Sequence, residues 1–122
     1  EFVLPLHPNP KVVSASSVLE KVNIVEPMSR IELLKALTKS KMIITDSGGI
    51  QEEASFYGKK ALVCRKATER PSPNQILIYE PHLLFSSFNK HLKKVYINKE
   101  CPFGVGDSSK RIYSIMKEMN IL

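Results

Sequence analysis

The chain has 122 residues and a formal net charge of +6, a length that buries one modest core and fits a single domain. No apolar run approaches the roughly 18 residues that cross a bilayer and none reads as a signal peptide, so the expectation is a soluble, cytoplasmic protein. Cys64 and Cys101 have neither metal-ligand spacing nor the density of a disulfide framework, and the lysines form no stripe with interleaved aromatics, which argues against metal and nucleic acid.

Residues 2 to 6 read as a strand, followed by a helix or irregular connection over about 10 to 21. Asn23-Ile24-Val25 reads as a second strand, ended by Pro27. Ser29 is placed to cap the next helix, in which Ile31, Leu34 and Leu37 form the expected buried stripe. Met42-Ile43-Ile44 is too short an apolar run for a helix but fits a strand buried on both faces, running to Thr45. From Gly49 onward Ile50, Ala54 and Tyr57 fall on one stripe of a short helix that Gly58 can end. A strand at Lys60 to Cys64 follows. Pro71 is then placed to fix the first turn of a further helix. Leu83-Leu84-Phe85 is a candidate strand, residues 87 to 95 a weakly patterned helix, and Ser108 to Met119 a final amphipathic helix. This alternation predicts an α/β fold, a parallel sheet with helices on both faces and its ligand at the carboxyl ends of the strands. His7, Ser47 and the run Arg65 to Arg70 fall at such ends.

The run from Thr45 to Ser55 reads as strand end, glycine turn and helix start. Gly48 and Gly49 are expected to turn the backbone sharply and bring its N–H groups close to a ligand. The first amides of a helix have no internal partner and lie at the positive end of its dipole, so they can hold a phosphate. Ser47 is placed to cap the helix or to give its hydroxyl to the same anion. Two carboxylates beside a phosphate need another explanation. Glu53 lies one turn after Gly49, about 6 Å along the axis, and its side chain leans back toward the mouth of the site. An ionised carboxylate only accepts hydrogen bonds, which suits a ribose diol. Acids favoured by the dipole in a first helical turn are the equal alternative, and spacing alone does not choose Glu53 over Glu52. In the loop Arg65-Lys66-Ala67-Thr68-Glu69-Arg70-Pro71, Arg70 can meet phosphate oxygens in a fork. The competing reading is a solvated basic loop paired internally with Glu69.

The run Asp46-Ser47-Gly48-Gly49-Ile50-Gln51-Glu52-Glu53-Ala54, followed by Gly58-Lys59 and Thr68-Glu69-Arg70-Pro71, resembles non-hydrolysing UDP-N-acetylglucosamine 2-epimerases. His7-Pro8-Asn9-Pro10 is similar to a His-x-Asn-Pro segment in the same half of those enzymes, and Pro102-Phe103-Gly104-x-Gly106 to a turn before their last helix. The resemblance implies the C-terminal, Rossmann-like half of a glycosyltransferase-B type fold, with the substrate between two halves. The chain begins at Glu1 and enters directly on Phe2-Val3-Leu4, so it is expected to be a fragment without the N-terminal catalytic half.

Implied contacts to UDP are Ser47, Gly48, Gly49, Glu53 and Arg70. His7, on its own more simply a structural hydrogen-bonder, matches a histidine that contacts a second, regulatory UDP-N-acetylglucosamine. No metal or cofactor is implied, no catalytic group lies in this stretch, and family members are commonly dimers. The basic charge suits a doubly negative nucleotide-sugar. The chain departs from the usual pattern at Ser72-Pro73-Asn74-Gln75, at Leu33 where an aromatic residue often stacks on uracil, and at Cys101 and Val105. The alternatives are the donor-binding half of a related glycosyltransferase and a non-catalytic UDP-sugar-binding remnant.

Overall fold

The computed structural model describes residues 1–94 and 100–121. They cluster into two compact units, Glu1–Ala36 and Leu37–Leu122. In the first, strands β1 (Phe2–Pro5) and β2 (Val22–Val25) pair in parallel, with Phe2 opposite Val22 and Pro5 opposite Val25. Parallel neighbours need a crossover, and helix α1 (Pro10–Ser16) lies within it. Asn9 caps this helix, its Oδ1 accepting from the Lys11 amide at 2.9 Å, and Pro10 opens it where a missing N–H costs nothing. The hydroxyls of Ser16 and Ser17 donate back to the Val13 and Ser14 carbonyls at 2.8 Å. Such bonds compete with continuation of a helix, so the connection is helical in its first half only.

Helix α2 (Arg30–Lys39) begins in the same unit. Ser29 and Glu32 form a reciprocal cap: the Glu32 amide donates to Ser29 Oγ at 3.4 Å, and the Glu32 carboxylate accepts from the Ser29 amide at 2.8 Å and hydroxyl at 2.6 Å. This is the capping-box arrangement. These bonds from the Ser29 side chain and backbone, with Lys35 nearby, hold the Glu32 carboxyl below its ordinary range. The expected stripe is only partly right. Leu37 is buried and Leu34 half-buried, but Ile31 is 66% exposed. Each three-residue step falls about 60° short of a full turn, so Ile31 has drifted off the face that Leu37 buries, and Leu33 is half-buried in its stead.

The second unit contains the parallel sheet β3 (Ile43–Thr45), β4 (Ala61–Val63) and β5 (Gln75–Leu77), in that order, with Ile43 opposite Ala61 and Ala61 opposite Gln75. Central β4 is wholly buried, as a parallel strand covered on both faces should be. On β3, by contrast, Ile43 and Thr45 point inward while Ile44 is exposed, a correction to the continuous burial expected of that run. Between β3 and β4 lies helix α3 (Gly48–Phe56). It ends in a Schellman motif: the Gly58 amide donates to the Ser55 carbonyl at 3.1 Å and the Lys59 amide to the Ala54 carbonyl at 2.7 Å, with Gly58 at φ 62°. Glycine adopts that left-handed conformation without a Cβ penalty.

Two further expectations are corrected. No helix follows Pro71. Pro73 disfavours the helical region for Ser72, the Gln75 amide closes a turn onto the Ser72 carbonyl at 3.1 Å, and the chain enters β5. Leu83-Leu84-Phe85 is not a strand but the opening of helix α4 (Leu83–Leu92). A three-residue apolar run cannot choose between the two periods; the longer spacing decides, since the half-buried Leu84, Phe88 and His91 fall at i, i+4 and i+7, and the other half-buried positions, Leu83 and Ser87, adjoin them at the same helical spacing. Of the helix expected over 87 to 95, position 95 lies outside the described residues. The buried Lys60 donates from Nζ to the His91 carbonyl and, at 2.7 Å, to the Lys94 carbonyl, which satisfies the carboxyl end of α4. Helix α5 (Ser108–Glu118) matches the expected final helix to within a residue.

Candidate functional site

Strand β3 ends at Thr45, whose hydroxyl accepts from the Ser47 amide at 3.0 Å. Ser47 stands just outside α3 in an extended conformation, its Oγ accepting from the Ile50 amide at 3.5 Å and its carbonyl from the Gln51 amide at 3.1 Å. That is the expected cap. The helix supplies no acceptor for the amides of Gly48 and Gly49, which begin it. Neither glycine has a positive φ, so the sharp glycine turn expected from the sequence is replaced by an extended Ser47 feeding a regular helix. The missing Cβ is what matters. A Cβ at Gly48 would run into the guanidinium of Arg70, whereas one at Gly49 would meet nothing within 4 Å. Gly48 is a seat for a cation, and Gly49 leaves bare backbone under open space.

Arg70 arrives on the loop that follows β4. Its Nε donates to Glu52 Oε1 at 2.6 Å and its Nη1 to Glu69 Oε1 at 2.5 Å. Arg65 also reaches Glu69, at 3.4 Å. The internal pairing with Glu69 weighed from the sequence is therefore present, and it coexists with placement of Arg70 at the helix end. A hydrogen bond from its own backbone, then Arg70 and Arg65, hold the Glu69 carboxyl below its ordinary range. The two α3 glutamates, which spacing could not separate, differ in surroundings. Both are half-buried, but Glu52 binds Arg70, whereas Glu53 has its Oε2 atom buried.

Behind these charged groups lies a buried polar layer that the apolar pattern did not disclose. The residues α3 buries are Gly48, Gln51, Ala54 and Ser55, and the expected stripe contributes only Ala54 fully. Gln51 Oε1 accepts from the Thr68 hydroxyl at 2.6 Å, and Thr68 Oγ1 accepts from the Arg70 amide at 3.1 Å. The Gln51 carbonyl accepts from Ser55 Oγ at 3.0 Å and from Gln75 Nε2 at 3.2 Å. A threonine two residues before an arginine is the sequence signal of such a hydroxyl turn, and it stood in the Thr-Glu-Arg-Pro run. Cys64, exposed just past β4, has its thiol pushed up by partial desolvation and by Asp46.

Ser47, Gly48, Gly49 and Arg70 thus come together in the second unit, at the carboxyl ends of β3 and β4, with Glu53 further along α3. His7 belongs to the first unit, exposed after β1, with Nδ1 accepting from the Asn9 amide at 3.2 Å. Leu33 is half-buried on α2. Among the described residues no group of His, Cys, Asp and Glu is placed to hold a metal ion, and no helix is long and apolar enough to cross a membrane.

A strand end, a capped helix start with bare amides and an arginine against its first residue make the kind of arrangement that can hold an anion. A family model described as UDP-N-acetylglucosamine 2-epimerase matches residues 1–117. The chain belongs to that family. A UDP-N-acetylglucosamine 2-epimerase of Neisseria meningitidis serogroup A is 35% identical over 125 residues, covering 91% of this chain and 34% of the relative. The crystal structure of the N. meningitidis 2-epimerase bound to UDP-GlcNAc superposes with a TM-score of 0.83 at 34% identity, over 97% of this chain and 36% of that one. The Methanocaldococcus jannaschii 2-epimerase in complex with UDP-GlcNAc and UDP gives 0.82 at 30% identity, over 95% and 35%. The chain therefore spans about a third of the length of the 2-epimerases it matches. Its fold is α/β and Rossmann-like, parallel sheets with helices, similar to these glycosyltransferase-B-like relatives.

Proposed function

We propose that residues 1–122 form the nucleotide-sugar-binding, C-terminal domain of a cytoplasmic UDP-N-acetylglucosamine 2-epimerase. The whole enzyme, a homodimer, interconverts UDP-N-acetylglucosamine and UDP-N-acetylmannosamine for surface polysaccharide synthesis. The observation that carries this reading is the amino end of α3, where Ser47 caps the helix and the Arg70 guanidinium lies against Gly48 beside amides the helix leaves without acceptors. The Ser47 hydroxyl, the Gly48 and Gly49 amides and Arg70 bind the diphosphate, and Glu53 accepts from the ribose diol. His7 touches substrate or a second, regulatory nucleotide-sugar.

Solved relatives carry UDP-GlcNAc and UDP, which supports the ligand class. The reaction removes the carbon-2 proton and UDP from carbon 1 to leave a 2-acetamidoglucal, then adds UDP back to carbon 1 as a proton is delivered to the opposite face of carbon 2, so the diphosphate is the leaving group. Donors fixed where its charge develops lower that barrier. The groups that move the carbon-2 proton belong to the remainder of the enzyme, and this part binds without catalysing.

Calorimetric titration with UDP tests the assignment. Glu53→Ala should weaken binding about tenfold, equivalent to about 1.4 kcal/mol. If Glu53→Ala leaves the affinity unchanged, the ribose assignment is wrong; if the unaltered protein takes up no UDP, the whole reading is.

A further inference from the structure

The proposed diphosphate contact Arg70 sits on a loop, yet its guanidinium lies directly over the first residue of α3. The hydrogen bonds behind it show how that loop is held. Thr68 has one hydroxyl proton, which goes to Gln51 Oε1 at 2.6 Å, and this leaves an oxygen lone pair facing the Arg70 amide at 3.1 Å. Gln51 is fully buried and is itself fixed at three points on α3 and its surroundings. Its backbone N–H donates to the carbonyl of the capping Ser47, and its backbone carbonyl accepts from Ser55 and Gln75. One glutamine therefore ties the helix end that would hold phosphate to the loop that carries the cation. The path runs through Gln51 Oε1 alone, since Gln51 Nε2 is buried without a hydrogen-bond partner among the described residues, and a short path through a buried side chain gives rigidity that an exposed ion pair does not.

We infer that Gln51 and Thr68 are positioning residues, which lock Arg70 in register with the Gly48 and Gly49 amides so that one diphosphate meets both at once. Neither touches the ligand. The inference rests on the reading of Arg70 as a diphosphate contact, and it adds that the affinity contributed by Arg70 depends on the Thr68 hydroxyl.

The test is a double-mutant cycle in UDP titrations of the full-length protein, with thermal melts as a check of folding. Thr68→Val removes the hydroxyl at nearly constant volume and should weaken UDP binding roughly tenfold. Thr68→Ser restores the hydroxyl and should return affinity to within about twofold. With Arg70→Ala already in place, Thr68→Val should cost almost nothing more, because there is no cation left to position. An equal loss from Thr68→Val in both backgrounds, or failure of Thr68→Ser to rescue, would overturn the inference while the diphosphate reading stood. Unchanged UDP binding in Arg70→Ala would instead remove the contact on which it rests.

Discussion

At the scale of single residues, Gly48 and Gly49 are adjacent and chemically identical but are required for different reasons. The space beside Gly48 is filled by Arg70, and the space beside Gly49 is open. Gly48→Ala is expected to cost little stability, since what fills the position is the far end of the flexible, partly exposed Arg70 side chain, but to weaken UDP binding by pushing that guanidinium aside. Gly49→Ala should instead leave stability unchanged or raise it by up to about 1 kcal/mol, because alanine is the better helix former. It should still weaken UDP binding, as its methyl group stands over the bare amides. Thermal denaturation and UDP titration of both variants separate these effects. A stability loss in Gly49→Ala would mean that the open space above Gly49 is not there. The importance of both glycines was legible in the sequence, but the reason was not: a pair of glycines after a strand signals a turn, and only the arrival of Arg70 from 22 positions further on shows that close approach is the requirement at Gly48.

At the scale of elements, the parts that short-range chemistry dictates were readable and the parts fixed by long-range packing were not. Ser29 and Ser47 cap helices as their positions suggested, and Gly58 ends α3. The failures share a cause. Leu83 to Phe85 and the segment after Pro71 are short runs whose conformation is settled by what they pair with, the first by the face of α4 and the second by the edge of β4. Gln51 was hidden for a similar reason, since a buried glutamine satisfies a polar network rather than the apolar periodicity that reveals a core.

The α2 cap makes a pH prediction at this scale. The Glu32 carboxyl is held below the ordinary value of 4.5 by its bonds to Ser29. A carboxyl whose folded pKa is depressed contributes stability that is present above its unfolded pKa and lost as pH falls through the folded one. The difference in melting temperature between the unaltered protein and Glu32→Ala should therefore be largest near neutral pH and shrink as pH falls below about 4. A difference independent of pH would show that the cap is not ionic.

At the scale of the whole molecule, the chain covers about a third of its relatives and brings a strand end, a helix start and a loop together around the proposed anion site. The Ser47 cap, the glycine amides and Arg70 all belong to the second unit, so the proposed diphosphate site is local to that unit, whereas His7 belongs to the first. The most direct measurement is a heteronuclear NMR titration that follows backbone amides as UDP is added. The account predicts the largest shifts at the Gly48 and Gly49 amides and at the Arg70 side-chain Nε–H. Saturable UDP binding that leaves those three signals unmoved while others shift would contradict it.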